Sequence, residues 1–129
     1  MKNLMILCLL ILPLALNAQN NKNEKANFEV SGNCEMCKKR IEKAALTVKG
    51  IKTANWDIPS NVLSIIYDSG KVGLQEVQTA IAEVGHDTPL AKAPDTTYNE
   101  LPMCCLYKRT IEYKKAPNRG AFFILNRRI

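Results

Sequence analysis

The sequence predicts an α+β fold: a ferredoxin-like βαββαβ sandwich, a four-stranded antiparallel sheet with two helices on one face, followed by an irregular C-terminal extension. Three observations predict it. The apolar period changes from two to three-and-four and back along residues 27–90. The turn signal Pro59-Ser60-Asn61 separates two β-rich runs. Two amphipathic stretches each offer one apolar face, which suits them to covering one side of a sheet.

Taken in order, Asn27-Phe28-Glu29-Val30-Ser31 alternates apolar and polar, as a strand with one buried face does. Over residues 35–48, Cys37, Ile41, Ala44, Ala45 and Val48 recur at three and four, with Lys38, Lys39, Glu42 and Lys43 opposite. This predicts a first helix, closed by Gly50. Residues 51–58 and 62–67 flank the turn signal and read as an antiparallel hairpin. Gly73 is a tolerable N-cap with Glu76 three residues on, and Leu74, Val77, Ile81 and Val84 mark a second helix ending at Gly85. A last short strand is expected over 86–90. The expected core is Phe28, Val30, Ile41, Ala45, Val48, Val62, Ile65, Leu74, Val77, Ile81 and Val84, with Trp56 a half-buried strand aromatic.

Around this domain (27–90) the chain divides by composition. Residues 1–18 have one cation at Lys2, an apolar stretch, and Ala18 before polar Gln19-Asn20-Asn21, the order of a cleaved signal peptide. That stretch falls short of the ~20 residues of a membrane span. The expectation is therefore an exported, periplasmic protein with no membrane span in the mature chain. Residues 19–26 read as a flexible leader, 91–112 as an extension containing Cys104-Cys105, and 113–129 as a basic tail. The net charge of +6 is uneven: 27–90 holds seven Lys or Arg against eight Asp or Glu, 91–129 eight against three. Basic character concentrated in a tail, without basic residues and aromatics interleaved on a folded face, argues against nucleic acid. The mature length is one domain's worth, with no room for a separate catalytic domain, so no enzyme is expected.

The chemistry lies in Gly32-Asn33-Cys34-Glu35-Met36-Cys37, where a strand hands over to a helix. Backbone N–H groups and the positive end of the helix dipole favour thiolate there. Two thiolates suit a soft cation, Cu+ first, with Hg2+, Ag+ or Zn2+ as alternatives; the hard Mg2+ and Ca2+ want oxygens this loop does not offer. Two ligands leave room for a third from a partner, which favours carriage over storage. Cys104-Cys105, preceded by Met103, reads as a second soft-metal site or as further ligands folding over the first. A local disulfide, a redox-inert pair, a bridge to Cys34 or Cys37, and a disulfide with a partner stay open.

The motif in its strand-to-helix loop, together with Ile81-Ala82-Glu83-Val84-Gly85-His86 closing the second helix, resembles the heavy-metal-associated domain family of copper chaperones, copper-ATPase modules and periplasmic mercury-binding proteins. The resemblance covers 27–90 and implies that Cys34 and Cys37 bind the metal. It departs before Cys34, where the family usually has a Met-Thr pair and this chain has Gly32-Asn33. It also implies that His86 lies beside the metal loop, as a ligand or by tuning the thiolates; the alternative is a partly exposed loop histidine bonded to Asp87. The segment Tyr98-x-x-Leu-Pro-x-Cys-Cys105 resembles one appended to this domain in a family of exported bacterial proteins. The expected function is a monomeric metallochaperone that hands its ion transiently to a metal transporter or efflux component. The competing readings are a thiol-disulfide oxidoreductase and a metal-sequestering resistance protein.

Overall fold

The alternation of Leu63, Ile65 and Tyr67 decides which side of the sheet is covered. All three are buried, while Ser64 between them is exposed. The computed structural model of the chain describes residues 22–112, so the expected signal peptide and basic tail lie outside the described residues. Its elements run β1 (Asn23–Glu29), α1 (Glu35–Thr47), β2 (Ile51–Asp57), β3 (Val62–Asp68), α2 (Leu74–Glu83), α3 (Asp95–Asn99) and a 3-10 turn at Met103–Cys105.

β3 is the centre of a three-stranded antiparallel sheet of order β1-β3-β2. Its register lines up Phe28, Leu63 and Trp56 in one row and Ala26, Ile65 and Ala54 in the next. The small flanking alanines leave the middle row open to helix side chains. Ile41 and Ala45 of α1 and Val77 and Ile81 of α2 join these rows in one buried cluster, so both helices cover the same face. The hairpin turn is held by the Asp57 carboxylate, which accepts from the Ser60 N–H at 3.1 Å and its hydroxyl at 2.6 Å. Asn61 takes the left-handed φ of 57° that asparagine tolerates better than most residues.

Four expectations need correction. The fourth strand over 86–90 does not form among the described residues. A single ladder-like bond, Ser31 N–H to the Asp87 carbonyl at 3.0 Å, is followed by a tight turn in which Thr88 N–H and hydroxyl both donate to the Ala91 carbonyl. Pro89 has no N–H to pair, and Gln78 Oε1 takes the Leu90 N–H at 3.0 Å, so side chains hold donors a strand would have used. β1 begins at Asn23, inside the expected leader, because Asn23 and Glu24 pair with Asp68 and Tyr67 of a β3 long enough to template them. Trp56 is fully buried rather than half-buried: its indole N–H reaches the Val30 carbonyl at 3.1 Å, which removes the usual cost of burying that group. Val62 is only partly buried; Leu63 is the inward residue.

The extension is less irregular than expected. Leu101, Cys105 and Tyr107 belong to the same buried cluster as the sheet and helices. Gly85, at φ 104°, lets the chain turn out of α2, and a Cβ there would come within 2.9 Å of Leu101 Cδ2. Tyr107 donates its hydroxyl to the Gly85 carbonyl at 2.8 Å and accepts the Asp87 N–H at 2.8 Å. Arg109 then grips the Asp87 carboxylate through two nitrogens, at 2.7 and 2.6 Å, while its guanidinium lies 4.7 Å from the Tyr98 ring centre.

Arg109→Ala leaves the buried Asp87 carboxylate without its cation, and the expected cost is about 3 kcal/mol in urea unfolding, with earlier proteolytic cleavage of the extension. Gly32→Ala places a Cβ 2.9 Å from Trp56 Cη2 and 3.1 Å from Cys37 Cβ. Overpacking against a buried indole is expected to cost about 1–3 kcal/mol and to change Trp56 fluorescence.

Candidate metal centre

The loop after β1 is pinned before it reaches the thiols. Val30 N–H donates to the Asn61 carbonyl at 2.8 Å and Ser31 N–H to Asp87, so Gly32 enters from a fixed direction. Gly32 has no side chain because the Trp56 indole fills that space, which gives a physical reason for the departure from a Met-Thr pair. Cys34 is the N-cap of α1, with extended backbone (φ −147°, ψ 176°) and no side-chain capping bond. Its sulfur is therefore not spent on the helix. Cys37, one turn on and fully buried, accepts the Asn33 N–H at 3.5 Å.

The extension returns the other pair to this place. The 3-10 turn, closed by Cys105 N–H to the Pro102 carbonyl at 2.7 Å, buries Cys105 and leaves Cys104 exposed. Cys34 Sγ lies 3.6 Å from Cys37 Sγ and 3.7 Å from Cys105 Sγ, and Cys104 Sγ is 3.9 Å from Cys105 Sγ. The sulfurs of Cys34, Cys104 and Cys105 all fall within 4.8 Å of one another, and the four cysteines among the described residues are free. Metal–thiolate bonds of about 2.3 Å put two sulfurs about 4.6 Å apart across a linear ion and about 4 Å apart around a trigonal one. The spacings within the Cys34–Cys104–Cys105 group suit three-fold sulfur coordination better than a linear pair.

The thiols are not equivalent. The Cys37 backbone N–H bonds to the Cys34 sulfur and outweighs the opposing effect of burial; with help from Cys104, the Cys37 thiol and the Met36 N–H, it brings the Cys34 pKa down to about 7. Cys104 is raised, chiefly because its hydrogen bond to Cys34 keeps its proton in use. Cys105 is raised further by burial, and then by the Cys37 and Cys34 sulfurs that gain from its proton. One sulfur thus ionises near neutrality while Cys104 and Cys105 are held as thiols, and a cation among them would reverse that preference.

His86 stands apart. Its ring is fully buried, Nδ1 lies 2.8 Å from the Ser31 carbonyl, and Nε2 has no hydrogen-bond partner among the described residues. Burial lowers its pKa more than the Ser31 carbonyl raises it. Its ring stacks on Tyr107, with centres 5.7 Å apart, and neither ring nitrogen belongs to the three-sulfur group. The partly exposed histidine bonded to Asp87 is not what the structure contains: His86 is fully buried and its partner is Ser31. Three features went unread in the sequence: Met36, whose Sδ lies 3.5 Å from Cys104 Sγ, the Trp56 packing under the loop, and the Asp87–Arg109–Tyr107 anchorage. Met36 carried a usable signal, a soft donor between the two motif cysteines.

The heavy-metal-associated domain model matches residues 28–87. The copper chaperone CopZ of Staphylococcus aureus (strain JH9) is 30% identical over 54 residues, which are 42% of this chain and 79% of that protein. CopZ of Staphylococcus haemolyticus is 28% identical over the same shares. Among solved structures, the water-soluble region of the P-type ATPase CopA from Bacillus subtilis superposes with a TM-score of 0.51 at 26% identity, covering 55% of this chain and 48% of that one. These relatives are copper chaperones and the soluble region of a P-type ATPase, and the loop before α1 falls within the residues that the family model matches. The chain belongs to the heavy-metal-associated domain family.

Proposed function

We propose that this protein binds Cu+ through the Cys34–Cys37 thiolates, with Cys105 and Cys104 completing the sulfur set, and passes the ion to a metal transporter or efflux component without catalysing a reaction. The observation that carries it is the convergence of four free sulfurs, from two ends of the domain, at the N-terminus of α1. Soft thiolates select soft ions, so Hg2+, Ag+ and Zn2+ are the competitors and hard divalent ions are not. The names of the copper chaperone and copper-exporting ATPase relatives support copper as the cargo and a transporter as the recipient. The signal-like leader supports export to the periplasm. No helix among the described residues is long and apolar enough to cross a membrane.

Exchange needs an accessible ligand, and half-exposed Cys34 with exposed Cys104 provides one. Buried Cys37 and Cys105 favour retention, the single feature that supports sequestration instead. The oxidoreductase reading is not supported: this CxxC follows a strand of an antiparallel sheet, away from the parallel α/β setting of thioredoxin-like enzymes.

Anaerobic titration of the reduced protein is expected to show about one tight Cu+ equivalent, lost in the Cys34→Ser, Cys37→Ser double variant. Binding by that variant as tight as wild type would refute the site. Because Cys34 is thiol below its depressed pKa and thiolate above it, its alkylation by iodoacetamide in the metal-free reduced chain should reach half its plateau rate at about pH 7. A midpoint at the ordinary thiol value would show that the N–H groups do not hold the charge.

A further inference from the structure

Met36 is a long apolar side chain left 50% exposed in the first turn of α1, and the extension brings exposed Cys104 to it from 68 residues away, Sγ to Sδ 3.5 Å. The cysteine sulfurs continue from there, from Cys104 to buried Cys105 at 3.9 Å, from Cys105 to partly exposed Cys34 at 3.7 Å, and from Cys34 to fully buried Cys37 at 3.6 Å, and the Cys104 and Cys34 sulfurs themselves lie within 4.8 Å of each other. Every step is shorter than the about 4.6 Å that two metal–sulfur bonds of about 2.3 Å can span. Neighbouring sulfurs are therefore close enough for one ion to reach both. A thioether also differs from a thiol in one useful respect: it is a neutral soft donor that needs no deprotonation before it binds.

We propose that Met36 Sδ and Cys104 Sγ form an exposed landing site for a soft monovalent cation, which then passes by exchange between neighbouring sulfurs to Cys34, Cys105 and the buried Cys37 end of the cluster. The inference rests on the metal-binding reading above and adds the direction of entry. Each step is a ligand exchange. The bond to the outer sulfur breaks as the bond to the next thiolate forms, each thiol that becomes a ligand gives its proton to solvent, and the ion keeps its oxidation state. The landing site is weak because a thioether carries no charge to neutralise the ion. That weakness keeps the ion from resting there.

The test uses the full reduced chain under anaerobic conditions with Cu+ supplied as its bicinchoninate complex, loading being followed by loss of the complex's colour in stopped flow. Met36→Leu keeps the side chain's size and removes only the sulfur, at a position exposed enough to leave folding intact. Loading is expected to slow by about tenfold, with final stoichiometry and affinity within about twofold of wild type. In the wild type carrying 13C-methyl methionine, the Met36 methyl resonance should shift when Ag+ is added beyond the capacity of the inner sulfurs. Wild-type loading by Met36→Leu would overturn the landing site, and so would an affinity that falls as far as the rate, which would make Met36 a ligand of the final site. Either of those outcomes leaves the cysteine site standing if the Cys34→Ser, Cys37→Ser variant still loses binding. A wild-type chain that takes up no Cu+ overturns both.

Discussion

Asp87 ties the molecule together. Its carbonyl accepts the Ser31 N–H at the entrance to the cysteine loop, its N–H meets the Tyr107 hydroxyl, and its carboxylate takes the Ala93 N–H at 2.8 Å and two nitrogens of Arg109. It is 3% exposed, so those donors replace the water its oxygens lose on burial. One residue after α2 thereby sets the position of the loop before α1 and of the extension that carries Cys105. Without this junction the four cysteines would be two separate pairs, one at a helix N-terminus and one on an unattached strap.

The core of this arrangement was legible because burial imposes a period. Ile41, Ala45, Val77 and Ile81 recur at helical spacing and are buried as expected, and the hairpin turn announces itself through Pro59, Ser60 and Asn61. Cys34 and Cys37 were legible as a pair because the glycine and helix pattern around them fix the local setting. The junctions were not. Whether 86–90 pairs as a strand depends on Gln78 and Thr88 taking its donors, and neither side chain reveals its target by spacing. Trp56 is buried because Gly32, 24 residues earlier in the chain, leaves room for it. The docking of Cys105 follows from Tyr107 and Arg109 finding Gly85 and Asp87, a tertiary match that no local pattern encodes.

The sulfur cluster reconciles two demands that usually conflict. As a thiol, cysteine is a small hydrophobe that packs without penalty, and Cys37 and Cys105 take part in the core in that form. As a thiolate it is the ligand, but burial makes the charge costly, and for Cys105 that cost dominates. The helix N-terminus eases the cost at Cys34, where backbone N–H groups point at the charge. The metal-free protein can thus keep a stable core and still offer one nucleophilic sulfur. A cation that arrives supplies the compensating charge for further deprotonation, so uptake and proton release are coupled.

The same geometry sets a competition in any oxidising compartment. Cys34 is nearly equidistant from Cys37 and Cys105, so oxidation could join it to either, and each outcome would remove the acidified Cys34 sulfur from the ligand set. A thiol with a pKa near ambient pH is also close to the optimum for attacking a disulfide, so the property that readies Cys34 for a cation exposes it to exchange. Bound metal would hold the sulfurs as ligands and take away their nucleophilic lone pairs. Two partners rather than one gives the site a reserve: if Cys104 and Cys105 pair with each other, Cys34 and Cys37 keep the two-thiolate minimum. On this view the second pair adds more than capacity, because it allows oxidation to remove part of the site without destroying it.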